Sequence, residues 1–202
     1  MHLKSIEVTK VDHYFFEEGF EIKDLLDITL LVGDQGCGKS SLLEMLQKHE
    51  GLDIKMQHNN GVNSLFFDFE HMNPRVIEDH ELTNPDGTSR LFGVGEKLMS
   101  KWKSHGETLK FYSVDNLKKM KDTVVLFDEP ESSLSLRSQY ELIEACKIAT
   151  GNNCQLIIAT HCLPLIESQE KVYSMEHKEW MSSKDFIKHQ KQPSSTDEQK
   201  IN

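Results

Sequence analysis

Eight residues, Gly33-Asp34-Gln35-Gly36-Cys37-Gly38-Lys39-Ser40, fit the pattern G-x-x-x-x-G-K-[ST] at every fixed position. Such a loop works only between a strand and a helix, and the flanks agree. Ile28-Thr29-Leu30-Leu31-Val32 predicts a buried strand, and Ser41-Leu42-Leu43-Glu44-Met45-Leu46-Gln47 predicts an amphipathic helix. The glycines let backbone N–H groups turn inward around an anion, and the helix N-terminus adds its partial positive charge. The pattern therefore predicts a nucleoside triphosphate cradled by Gly33, Asp34, Gln35, Gly36, Cys37, Gly38, Lys39, Ser40 and Ser41. Lys39 is placed to reach the β- and γ-phosphates, and Ser40 to ligate Mg²⁺. An ordinary glycine-rich turn would leave both the Lys-Ser pair and the strand–helix flanks as coincidence.

The chain of 202 residues suits one domain with a single well-buried core. No apolar run approaches the ~18 residues of a membrane span, and the N-terminus lacks a basic-then-apolar leader, so a cytoplasmic protein is expected. Cys37, Cys146, Cys154 and Cys162 show no C-x-x-C spacing, which predicts reduced thiols rather than disulfides or a zinc site. A formal charge of −10 argues against broad attraction to nucleic acid or anionic lipid, though not against a local basic groove. The densest basic run, Lys118-Lys119-Met120-Lys121, reads as a solvated helix face.

Residues 3–9 alternate apolar and polar, as in a half-buried antiparallel strand, and Phe20-Glu21-Ile22 is a second candidate. Ser64 to Phe69 predicts a further strand, and the segment after it, broken at Asn73-Pro74 and Asn84-Pro85-Asp86-Gly87, reads as a small helical insertion over about 71–105. Residues 123–127 and 155–159 have the length and β-branched content of buried parallel strands. A helical pattern over 134–149, closed by Gly151-Asn152-Asn153, joins them into a βαβ unit. Residues 171–175 form a last strand candidate, Ser182 opens an S-x-x-D cap into a short helix, and from about Gln190 the polar tail predicts disorder.

Val124-Val125-Leu126-Phe127-Asp128-Glu129-Pro130 is an apolar strand ending in two acids. A carboxylate there can reach a metal held over a neighbouring phosphate loop, which assigns Asp128 to Mg²⁺ and Glu129 to polarising the attacking water. The competing reading makes both acids caps of the next helix. Leu156-Ile157-Ile158-Ala159-Thr160-His161 ends a second strand of the same sheet, placing His161 where it can touch the γ-phosphate or hold the water.

Gly33–Ser40, Asp128-Glu129-Pro130-Glu131 and Thr160-His161, in that order, resemble the motifs of ATP-binding-cassette ATPases. The resemblance is closest to compact soluble AAA-family ATPases related to DNA-repair and SMC-type heads, and it spans roughly residues 1 to 177. It implies an α/β P-loop fold over 1–189, with a mainly parallel core sheet, flanking helices, an N-terminal antiparallel β subdomain and a helical insertion. It also implies a signature loop completing the site from a second subunit. Ser104-His105-Gly106-Glu107 is the best match, with Ser104 and Gly106 on the partner's γ-phosphate. Lys103, His105 and Glu107 depart from the longer L-S-G-G-Q form, and Ser135 stands where transporters usually carry Asp. An adenine-stacking aromatic is implied among Tyr14, Phe15 and Phe16, with core packing the job of two of them. Glu70 or His71 is the candidate for the Mg²⁺-sensing glutamine position.

By this resemblance the chain is a soluble ATPase, forming a homodimer head to tail around two ATP molecules. It would act on DNA, a nuclease or another effector in DNA repair, mobile-element or phage-related processes. One alternative is a nucleotide-gated switch without turnover, which the presence of Glu129 disfavours. Another is a transporter's ATPase subunit, disfavoured by the short 71–103 segment and the acidic Glu70 region.

Overall fold

The computed structural model describes residues 2–9, 16–17, 19–48, 52–56, 64–68, 114–132 and 134–191. The strands are β1 (Leu3–Val8), β2 (Glu21–Ile22), β3 (Ile28–Val32), β4 (Leu52–Met56), β5 (Ser64–Asp68), β6 (Val124–Asp128), β7 (Gln155–Ala159), β8 (Lys171–Ser174) and β9 (Glu179–Ser182). The helices are α1 (Lys39–Lys48), α2 (Leu136–Gly151), α3 (Leu163–Glu167) and α4 (Ser183–Gln190), with a 3₁₀ turn at Leu117–Lys119.

Six strands form the main sheet in the order β5-β6-β7-β3-β8-β9; the first five are parallel and β9 closes one edge antiparallel. A separate antiparallel sheet, β2-β1-β4, carries the N-terminus. The parallel strands are apolar along their whole length because both faces are covered. Alternate residues feed two cores: Leu30, Val125, Phe127, Leu156 and Ile158 meet α2, α3 and α4, while Leu31, Leu126 and Ile157 meet α1. Helix α1 buries Leu42, Leu43, Met45 and Leu46 in the core that also holds the small sheet's Ile6 and Val8. It packs on the main sheet at β5, β6 and β7.

Gln155 fastens them directly. Fully buried, it accepts from Leu3 N–H at 2.6 Å and donates through Nε2 to Leu3 O at 3.0 Å and Leu26 O at 3.1 Å. A polar residue at the start of an otherwise apolar strand is tolerated because every one of these bonds is made.

Ser135 caps α2 by accepting from Ser138 N–H, and Ser182 caps α4 by accepting from Asp185 N–H. Helix α2 ends slightly later than the sequence predicts: Gly151 is still helical, and Asn153 takes the left-handed position at φ 63°. Two strands and one helix, β4, β9 and α3, lie beyond what the sequence pattern predicts. The basic run proves to be the 3₁₀ turn and its exit, with Lys119 and Lys121 exposed and Met120 packed on the core. The predicted insertion at 71–105 lies outside the described residues, as does the tail beyond Lys191. Among the described residues, no helix is long and apolar enough to cross a membrane.

Replacing Gln155 with Leu strands the Leu3 N–H and C=O in a dry interior. We expect a loss of about 1–3 kcal/mol in unfolding free energy, measured by urea denaturation.

Candidate nucleotide site

Strand β3 delivers the chain into the loop at Gly33, whose φ of +143° is open to glycine alone. Space imposes the same choice, because a Cβ at Gly33 would stand 2.9 Å from Cys37 Sγ and 3.4 Å from Glu176 Cγ. Gly36 and Gly38 are also left-handed, at φ 82° and 94°. The loop then enters α1, where Leu42 N–H takes Gly38 O at 3.0 Å.

Lys39 is buried inside the turn it closes, its Nζ donating to Gly33 O at 3.0 Å and Asp34 O at 2.9 Å. Its third proton faces Cys37 Sγ at 3.7 Å, a weak acceptor that an anionic oxygen readily replaces. Burial pushes the Cys37 thiol up from its ordinary value; the Lys39 ammonium opposes this and the Glu176 carboxylate adds to it.

Strands β6 and β7 end beside the loop. Glu129, the first residue past β6, sits at φ 45°, a left-handed backbone that is uncommon for a non-glycine residue and tends to mark functional sites. Its N–H donates to Ala159 O at 2.9 Å, extending the sheet by one rung. Thr160 is fully buried, and Thr160 N–H donates to Leu31 O. His161 Nε2 and Glu129 Oε1 stand 3.6 Å apart, both partly exposed.

A cleft of about 180 Å³ gathers Gln35, Gly36, Gly38, Lys39, Ser40 and Ser41 with Glu129 and His161. Asp128 lies at the last position of β6, half-buried, one residue before the cleft wall. Gly33 and Asp34 instead line a neighbouring cleft of about 230 Å³, with His161, Leu163 and Phe186. Phe16 is buried against Phe20 with ring centroids 5.1 Å apart, so it belongs to the core and not to a base-stacking surface. Tyr14 and Phe15, Glu70 and His71, and Ser104 and Gly106 lie outside the described residues.

The Mg²⁺ assignment is tested by the donor set. Ser40 and Asp128 offer a hydroxyl and a carboxylate, the hard oxygen ligands that Mg²⁺ prefers, and neither a thiol nor an imidazole competes at those two positions. The residues fit.

Two contributors escaped sequence reading. Glu176, just past β8, accepts from Asp34 N–H at 2.8 Å and so props the loop's first turn. Nothing in the sequence signals it, since the partners are 142 positions apart. Glu131 was visible as a motif letter but carried no role; it binds the residues that follow β7.

The architecture matches solved ATPase domains. A bacterial Atm1-family ABC exporter with ATP bound is similar to this chain with a TM-score of 0.58 at 15% identity, covering 93% of this chain and 40% of its own. The fold is that of an ABC-type P-loop ATPase. A second ABC-type structure, described as a "putative Cobalt transport ATP-binding protein", aligns with a TM-score of 0.51 at 16% identity, covering 92% of this chain and 81% of its own. Residues 85–166 match the family described as "AAA domain, putative AbiEii toxin, Type IV TA system". That segment contains Asp128, Glu129 and His161 but ends short of the phosphate loop on its N-terminal side. No curated protein sequence matches the chain. The chain spans less than half the length of the exporter.

With its pKa raised, Cys37 is expected to react with iodoacetamide more slowly at pH 7 than a free thiol, and to accelerate as the pH climbs past the ordinary thiol value and thiolate forms. Mass spectrometry of the loop peptide across pH 7–10 reads this directly.

Proposed function

We propose that the chain binds Mg-ATP and hydrolyses its γ-phosphate. The observation that carries this reading is the single cleft that brings the phosphate loop, Glu129 and His161 together from three distant parts of the sequence. Phosphoryl transfer asks little covalent chemistry of a protein, so catalysis rests on position and charge.

Placement supports a role for each residue. The amides of Gly36 to Ser41 and the α1 N-terminus hold the phosphates. Lys39 keeps its two carbonyl bonds, which fix its ammonium, and turns its remaining proton from sulfur to a phosphate oxygen. Glu129 orients water for in-line attack, and His161, across the strand boundary, touches the γ-phosphate or the same water. Ser40 and Asp128 would hold Mg²⁺, which when bound neutralises charge on the β- and γ-oxygens.

The resemblance to ABC-type ATPases supports a composite site, in which Ser104 and Gly106 of a second copy close over the nucleotide. ATP then holds two copies together and hydrolysis releases them. The likeness to transporter structures bears on the fold alone. The match of residues 85–166 to the "putative AbiEii toxin" family supports a toxin–antitoxin setting.

The deciding measurement is the solution mass of Glu129→Gln with and without Mg-ATP, by light scattering, beside wild-type turnover. A monomer that becomes a dimer only with Mg-ATP, together with slow wild-type hydrolysis, is the expected result; a wild type that never releases phosphate ends the hydrolytic reading.

Lys39→Ala should remove ATP binding, checked by a fluorescent ATP analogue. Ser104→Arg should keep ATP binding by the monomer while blocking ATP-dependent pairing, and a dimer of normal strength would show that the signature loop lies elsewhere.

A further inference from the structure

Glu131 lies two residues beyond Glu129, outside the nucleotide cleft, yet its carboxylate is spent on the far strand. Oε1 accepts from Thr160 Oγ1 at 2.7 Å and from His161 N–H at 2.8 Å. Thr160 Oγ1 in turn accepts from Cys162 N–H at 2.9 Å. One oxygen thus organises three consecutive residues at the exit of β7. Its sister oxygen, Oε2, is buried and accepts no hydrogen bond among the described residues. Holding a carboxylate partly out of water with an oxygen unused is costly, and a surface acid or simple helix cap would avoid it.

The segment that carries Glu131 is stiff. Ser132 N–H donates to Glu129 O and Leu134 N–H to Glu131 O, both at 2.9 Å. Buried Pro130, with its restricted φ, joins the two acids. Two ties therefore run between the ends of β6 and β7: the main-chain bond from Glu129 N–H to Ala159 O, and the Glu131 carboxylate to Thr160 and His161. Between them they fix the 3.6 Å approach of Glu129 Oε1 to His161 Nε2.

We propose that Glu131 is a positioning residue that sets His161 against Glu129 for hydrolysis, without touching nucleotide itself. This rests on the hydrolytic reading above. Among the described residues the Thr160 hydroxyl and the His161 amide donate to Glu131, and charge-assisted bonds of this kind are roughly twice as strong as neutral ones. Removing it frees the β7 exit while leaving the phosphate loop, on a different pair of contacts, intact.

The test compares Glu131→Ala with Glu131→Gln, whose amide oxygen can still receive both donors. In E131A we expect kcat to fall about ten- to a hundredfold, as for a misplacement of order 1 Å, while KM for ATP changes less than about twofold. E131Q should retain most of the turnover. The His161 amide resonance, shifted downfield by its bond to a carboxylate, should move upfield in E131A and less in E131Q. Wild-type kcat in E131A, a parallel loss of ATP binding, or equal damage in both variants overturns the proposal. If E131A does not fold, Thr160→Val, which removes the hydroxyl's bonds to Glu131 and Cys162 N–H but keeps the His161 N–H bond, decides: a kcat lower by about threefold at unchanged KM with the His161 amide resonance displaced supports it, and wild-type kcat overturns it. If the wild type shows no turnover, the hydrolytic reading fails by itself, and an unchanged His161 amide in E131A would then refute the tether separately.

Discussion

Everything at the candidate site depends on the hydrogen-bond register of three central strands. Leu31 pairs with Ala159, and Ala159 with Asp128, so β3, β7 and β6 end level with one another. The rungs continue past the formal strand ends through Thr160 N–H to Leu31 O and Glu129 N–H to Ala159 O. Because side chains alternate along a strand, a slip of one residue in any pair would send His161 or Asp128 to the opposite face. Alternate side chains pack into two different cores, and exchanging them between the cores is what opposes that slip. The geometry of the candidate site and the packing of the core are thus enforced by the same register.

That register also explains how distant segments can share a short cleft. The phosphate loop is held by its own glycines and by Glu176, the two acids by a tight turn, and His161 by the β7 exit. Each is anchored within a few residues of a strand that is buried on both faces. Gln155 adds a further restraint at the other end of β7, tying that strand to the N-terminal sheet. β7 is therefore fastened at both ends, by a buried amide at its start and by a carboxylate just past its end.

The parts legible from sequence are those where one physical demand dominates. Strands covered on both faces read as unbroken apolar runs, and a loop needing left-handed backbone at Gly33, Gly36 and Gly38 cannot disguise its glycines. β4 alternates as Leu52, Ile54 and Met56, a usable but short signal; β9, partly exposed at a sheet edge, gives hardly any. Helix α3, five residues with a proline at the second, reads as a loop. The Ser at position 135, a departure from the transporter pattern, has a local explanation: Ser and Asp are both good N-caps, and Ser135 caps α2. Glu131 and Glu176 act through contacts made only when remote segments meet, and no spacing rule encodes those.

The left-handed backbone at Glu129 has a bearing on how such a chain can drift. A non-glycine side chain there holds about 1–2 kcal/mol of conformational strain, which the water-orienting role proposed for it would justify. A descendant released from the need to turn over nucleotide would gain stability by exchanging it for glycine or asparagine, while keeping the loop that binds phosphate. Glycine or asparagine at this single position would therefore be a fossil of abandoned chemistry, readable in a sequence whose other motifs still look complete.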